Sequence, residues 1–116
     1  QALTKLGSCY LSLKRPERAE GPLNEAIRLN PNHAPAWHQR GLLYLDLKES
    51  DAAFDDFQAA VKCDGNHLDS RLHIAATLHQ QERHVEAAAA WRAVLAIDPD
   101  HRVARTRLGH CEVNLV

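Results

Sequence analysis

Asn30-Pro31-Asn32-His33 returns thirty-four residues later as Asp64-Gly65-Asn66-His67, and again as Asp98-Pro99-Asp100-His101. Each copy joins Asn or Asp to Pro or Gly, residues that stop helices and shape turns. A fixed period of this length is the mark of a repeat architecture. Between the turns, apolar residues fall three and four apart: Leu3, Leu6, Tyr10 and Leu13; Trp37, Gly41, Tyr44 and Leu47; Phe54, Phe57 and Val61; Trp91, Val94 and Leu95. That is helical spacing, and the alternation a strand needs does not persist.

Each unit also breaks near its middle, at Lys14-Arg15-Pro16, Glu49-Ser50-Asp51 and Glu82-Arg83-His84. Proline suits the first turn of a helix and serine can cap one. The repeating element is therefore a helical hairpin. The pattern predicts helices over 1–13, 16–29, 34–47, 50–63, 68–81, 84–97 and 102–115. Gly21-Pro22 falls inside the second of these and predicts a kink or a late helix start near Gly21, because proline removes one backbone hydrogen bond.

The middle unit carries Trp37, Gly41, Tyr44, Ala53, Phe57 and Ala60. This resembles the tetratricopeptide signature W-x2-L-G-x2-Y, A-x3-F-x2-A, P, with Arg40 where leucine is usual and Gly65 where proline is usual. The first unit matches through Leu6, Gly7, Tyr10, Ala19, Ala26 and Pro31. The third matches through Ala75, Ala87, Trp91 and Pro99, and Leu108-Gly109 opens a fourth. The resemblance implies an all-α, right-handed α-solenoid of helix-turn-helix hairpins. It would hold three repeats (about 1–33, 34–67 and 68–101) and one additional helix (102–116) in a single array. The small residues at 7, 41, 75 and 109 would let paired helices approach, against Ala19, Ala53 and Ala87. Stacking of hairpins would supply the core, which no hairpin builds alone. The opening glutamine, already in a helical pattern, suggests a piece of a longer protein.

Composition excludes several functions. Apolar residues make up 45% and charged residues 25%, ordinary for a globular chain. A net charge of −1 gives no surplus of cations for phosphate contacts, so nucleic acid is not the expected partner. No stretch has the roughly 20 apolar residues needed to cross a bilayer, so membrane insertion is not expected. Cys9, Cys63 and Cys111 are odd in number and far apart, which suits reduced thiols packed as small apolar groups and a cytoplasmic setting. Phosphate-loop, zinc-protease and serine-hydrolase motifs are missing, so neither catalysis nor a cofactor is expected. His33, His67 and His101 recur at equivalent turns. Stacked repeats lie about 10 Å apart, too far for a shared ion bound at about 2 Å. These histidines are expected to cap or pack rather than to hold metal.

The resemblance also implies a site. In this family the first helix of each hairpin lines a concave groove that receives an extended peptide or a helix. Carried over, the lining is Lys5, Ser8 and Ser12; His38, Gln39, Leu42, Leu45 and Asp46; Asp69, Leu72, His73, Ala76, His79 and Gln80; and Val103, Arg107 and His110. Residues three and four apart share a helix face. The implied function is a protein-interaction module, a scaffold or adaptor. Its alternatives are a substrate-presenting domain of a larger enzyme and a peptide-gripping secretion or assembly chaperone.

Three consequences follow from the resemblance. Family members that grip the C-terminal EEVD of heat-shock chaperones use two lysines, two asparagines and an arginine. Thr4, Ser8, Gln39, Asp69 and His73 stand at those places here, and one repeat on stand His38, Leu42, His73, Val103 and Arg107. Neither set neutralises two carboxylates, so this mode of binding is not expected. His38, His73, His79 and His110 on one face predict a groove that turns cationic on acidification. Leu108, Cys111 and Leu115 predict an exposed apolar strip on the last helix, and self-association through it.

Overall fold

The computed structural model describes residues 2–114. Their regular structure is seven α-helices: α1 (Ala2–Ser12), α2 (Pro16–Leu29), α3 (Ala34–Asp46), α4 (Ser50–Cys63), α5 (Leu68–Gln80), α6 (His84–Ile97) and α7 (Arg102–Asn114). They form two compact units, Gln1–His67 and Leu68–Val116, divided at a repeat boundary.

Turn chemistry fixes the period. The backbone N–H groups of Asn32, Asn66 and Asp100 donate to the side-chain oxygens of Asn30, Asp64 and Asp98 at 3.3, 3.0 and 3.3 Å. Those of His33, His67 and His101 donate to the same residues' carbonyls at 3.2, 3.0 and 3.1 Å. One Asx turn thus closes each repeat. The break within each hairpin is equally regular. Lys14, Lys48 and Glu82 take positive φ of 62, 64 and 58°. The residues after them, Arg15, Glu49 and Arg83, donate back to the carbonyls of Tyr10, Tyr44 and Leu78 at 2.9, 2.8 and 3.1 Å. Such left-handed helix ends usually hold glycine. Here charged side chains occupy them, with their heads in solvent.

In the first unit the close approach of helices is visible at two glycines. A Cβ on Gly7 would lie 2.4 Å from Leu23 Cγ, and one on Gly41 would lie 2.6 Å from Phe57 Cε1. Leu23 and Phe57 are thereby the buried pegs of the α1–α2 and α3–α4 hairpins. Tyr10 and Leu11 pack on Ala19, Leu23 and Leu43, while Leu3 and Trp37 pack on Ala26, Ile27 and Ala36. In the second unit Ala75, Leu78, Ala87, Ala88, Trp91, Val94, Ala104 and Cys111 are buried.

Several expectations are corrected. Helix α2 begins at Pro16 and runs through Pro22, with no late start at Gly21. Ala19 before the proline and Leu23, Ala26 and Ile27 after it are all buried, so packing holds the helix across the lost hydrogen bond. Ser50 is the first helical residue rather than a cap; Glu49 precedes it with no side-chain cap bond. Cys9 is exposed, whereas Cys111 is buried. The apolar strip on α7 is accordingly smaller than the sequence suggests. Cys111 is 0% exposed, Leu108 is half-buried, and Leu115 lies outside the described residues.

Candidate functional sites on the hairpins

In the first unit, α1 and α3 lie side by side and leave an open cleft of about 330 Å³. Ser8, Leu11 and Ser12 line it from α1, and Gln39, Leu42, Leu45 and Asp46 from α3. Six of the expected groove residues, Ser8, Ser12, Gln39, Leu42, Leu45 and Asp46, meet here. The floor is leucine, the rim carries hydroxyls and an amide, and Asp46 is the one charged lining group. Leu11 went unforeseen although it follows Ser8 by three residues and shares its face. Lys5 is exposed on α1 outside this lining. His38 does not face the cleft opening: it is 7% exposed, its ring 5.5 Å from Phe57 and 5.0 Å from His67. That is a core position.

In the second unit a cleft of about 370 Å³ is lined by Ala76, His79 and Gln80 of α5, Trp91 of α6, and Val103 and Arg107 of α7. It brings together Ala76, His79, Gln80, Val103 and Arg107 of the expected set. The His110 ring lies 5.3 Å from that of His79 on the exposed side of α7. Asp69, Leu72 and His73 lie on α5 outside this lining, Asp69 exposed and the other two half-buried. His79 Nδ1 also sits 3.5 Å from the thiol of Cys111.

The histidines answer acid differently from the sequence-based expectation. Burial pushes the His73 pKa down, against the opposing pull of Asp69. Burial also lowers that of His79, with help from the charges of Arg107, His110 and His84. The lowered values at His73 and His79 run against the cationic switch expected of the groove histidines. They predict a stability effect instead. A histidine whose folded pKa is depressed takes its proton first in the unfolded chain. Its contribution is therefore complete above the unfolded value near pH 6.5 and is lost as pH falls towards the lowered folded value. Melting temperature should decline from pH 7.5 to 5.5, and His79→Gln should flatten that decline. A pH-independent melting temperature over this range would contradict the assignment.

The turn histidines divide. His101 Nδ1 accepts from the backbone N–H of Ala104 at 3.2 Å, capping α7. His67 packs its ring on His38, and His33 precedes α3 with no side-chain cap bond. Arg40, the departure from leucine, forks onto Asp56 at 2.8 and 2.9 Å and reaches Asn24 at 3.1 Å. Its guanidinium stands 5.0 Å from the Trp37 ring and 5.7 Å from that of Tyr44. The bond to Asp56 holds the Arg40 pKa above its ordinary value.

Family models described as tetratricopeptide repeat match residues 1–33 and 23–55. The chain belongs to the tetratricopeptide-repeat family. Solved tetratricopeptide structures share the fold. The first such domain of Spaghetti (RPAP3), bound to the HSP90 peptide SRMEEVD, superimposes with a TM-score of 0.84 at 19% identity, over 98% of this chain and 93% of that one. The Arabidopsis OM64 domain gives 0.83 at 23% identity, over 97% and 93%. The second domain of human RPAP3, in complex with the HSP70 peptide SGPTIEEVD, gives 0.81 at 20% identity, over 95% and 92%. In sequence, RNA polymerase II-associated protein 3 of Xenopus tropicalis is 34% identical over 68 residues, 59% of this chain. That of Xenopus laevis is 32% identical over the same length. The tetratricopeptide chain spans about 10% of the length of these relatives.

Proposed function

We propose that this tetratricopeptide chain is a protein-interaction module, a scaffold or adaptor that binds an extended peptide or helix in the α1–α3 cleft. The observation that carries the reading is the leucine floor of Leu11, Leu42 and Leu45, open to solvent and rimmed by Ser8, Ser12, Gln39 and Asp46. Apolar side chains of a ligand find burial there, and the rim offers partners to its backbone amides. Structural relatives solved with chaperone peptides support the class of ligand. Catalysis has no place in this reading. Among the described residues no helix is long and apolar enough to cross a membrane, and a cytoplasmic setting belongs to the same proposal.

The test is binding to an array of capped peptides followed by mapping of amide resonances. Binders should perturb Ser8, Gln39 and Leu42. Burying one leucine contributes about 1.5–3 kcal/mol, so Leu42→Glu should weaken binding by about ten-fold or more. Peptides ending in EEVD should not bind at micromolar concentration. The α1–α3 lining holds the carboxylate of Asp46 and no cation to receive two more, and Thr4 is buried where the clamp residue would be a lysine. Binding that ignores Leu42→Glu removes the cleft from the proposal, and tight EEVD binding would show that the partner class of the relatives carries over. The end of α7 is where the reading places self-association: Val113 is 72% exposed, and nothing lies within 4 Å of a Cβ built on Gly109. A sedimentation coefficient that rises with concentration is the expected result.

A further inference from the structure

The first unit has another opening, which shares no residue with the α1–α3 cleft. The α2–α3 turn, α3 and the end of α4 enclose about 270 Å³ there, lined by Pro31, Asn32, Trp37, Ala59, Lys62 and Cys63. One wall is fixed before anything binds. The Trp37 indole N–H donates to the Pro31 carbonyl at 2.8 Å, and the Arg40 guanidinium stands 5.0 Å from the ring. The Cys63 thiol donates to the same carbonyl at 3.4 Å. Indole and thiol have one donor each, so both are spent, and what these walls offer a ligand is apolar contact. The rim is different. Lys62 is exposed, is the one charged lining residue, and has no ion-pair partner among the described residues. Asp64, the acid nearest to it in sequence, holds the backbone N–H of Asn66 at 3.0 Å in the Asx turn.

We propose that this pocket holds one aromatic side chain of a partner protein, followed in the partner's sequence by an acidic residue that reaches Lys62. The volume falls below the roughly 300–1,000 Å³ of pockets for drug-sized ligands and suits a single side chain. A flat indole wall favours a ring set offset or edge-on against it. Because Trp37 is pinned at its N–H and beneath Arg40, little freedom is lost when the guest arrives. Pro31, Asn32 and Lys62 are exposed at the mouth, so a chain crossing the surface can insert one side chain without opening the fold. The stem of Lys62 can lie along the guest while its ammonium meets the neighbouring carboxylate, with no acid in the lining to compete.

The experiment uses the whole chain, isotopically labelled, with three capped dipeptides as probes: acetyl-Phe-Glu-amide, acetyl-Ala-Glu-amide and acetyl-Phe-Lys-amide. The Trp37 indole N–H resonance should shift saturably with the first, while that of Trp91 stays in place. The alanine probe should bind about ten-fold or more weakly, the scale of burying one large apolar side chain. The lysine probe should bind about two- to five-fold more weakly, the range of an exposed ion pair, and added salt should close that gap. Lys62→Glu, at an exposed position, should reverse the order of the two phenylalanine probes. Ala59→Phe fills the pocket and should abolish the Trp37 shift, with circular dichroism as the check on folding. Equal binding of the phenylalanine and alanine probes would overturn the proposal, as would an order of the phenylalanine probes that survives Lys62→Glu. Tighter binding of phenylacetate than of the first probe would assign the pocket to a small aromatic acid and also overturn it. Peptide binding at the α1–α3 cleft is read on other residues and through Leu42→Glu, so either site can fail while the other stands.

Discussion

Replacing Phe57 by alanine is expected to cost the first unit about 3–5 kcal/mol. The ring is 1% exposed and fills the space that Gly41 leaves between α3 and α4, where an added Cβ would stand 2.6 Å from it. Domains of this size lose roughly 4–8 °C of melting temperature per kcal/mol, so a fall on the order of 15 °C or more should appear in the thermal melt. The same geometry predicts a reversal of sign. Gly41→Ala in the wild type forces the ring aside, an overpacking cost of about 1–3 kcal/mol that outweighs the roughly 1 kcal/mol of helix propensity gained. With Phe57 already alanine the clash is gone, and Gly41→Ala should stabilise. Phe57→Leu serves as the milder background if the alanine variant fails to fold. An equal effect of Gly41→Ala in both backgrounds would contradict the peg-and-gap account.

The hairpins were legible because several signals share one period. The Asx turns at Asn30, Asp64 and Asp98, the apolar spacing and the small residues at 7 and 41 each point to the same helices, which the structure places within about one residue of expectation. The left-handed positions were not legible. Lys14, Lys48 and Glu82 recur with the period, but nothing in lysine or glutamate announces positive φ. The groove was half legible. Periodicity tells which residues share a helix face, and Ser8, Leu42 and Leu45, grouped on that ground, line one cleft. It does not tell how far a neighbouring helix covers that face, which is why His38 was placed in a groove and lies beside Phe57. Trp91 was readable as core but not as cleft wall, since that depends on the two helices flanking it.

Arg40→Leu would restore the residue that the family signature carries, yet it is expected to destabilise the first unit by about 3–5 kcal/mol. The reason is what it leaves behind. The Asp56 side chain is 6% exposed, and the Arg40 fork supplies both of its oxygens with charge-assisted donors at 2.8 and 2.9 Å. Leucine supplies none, so a buried carboxylate would stand uncompensated. Asp56→Ala should cost less, because Arg40 is 21% exposed and can carry its charge to water along its own stem. Removing both partners in Arg40→Leu/Asp56→Ala should recover most of the loss, since an apolar replacement of a whole buried pair is close to neutral or better. Arg40→Lys should fall between, keeping the charge but not the fork that also reaches Asn24 or the flat face that lies over Trp37. Denaturant unfolding of the wild type, the two single variants and the double variant forms the cycle, with Arg40→Lys measured beside it. A single Arg40→Leu within about 0.5 kcal/mol of wild type, the range of an ordinary surface change, would mean that the pair does not hold α3 to α4. A double variant no more stable than Arg40→Leu alone would mean that the arginine acts through its packing on Trp37 and Tyr44 rather than through Asp56.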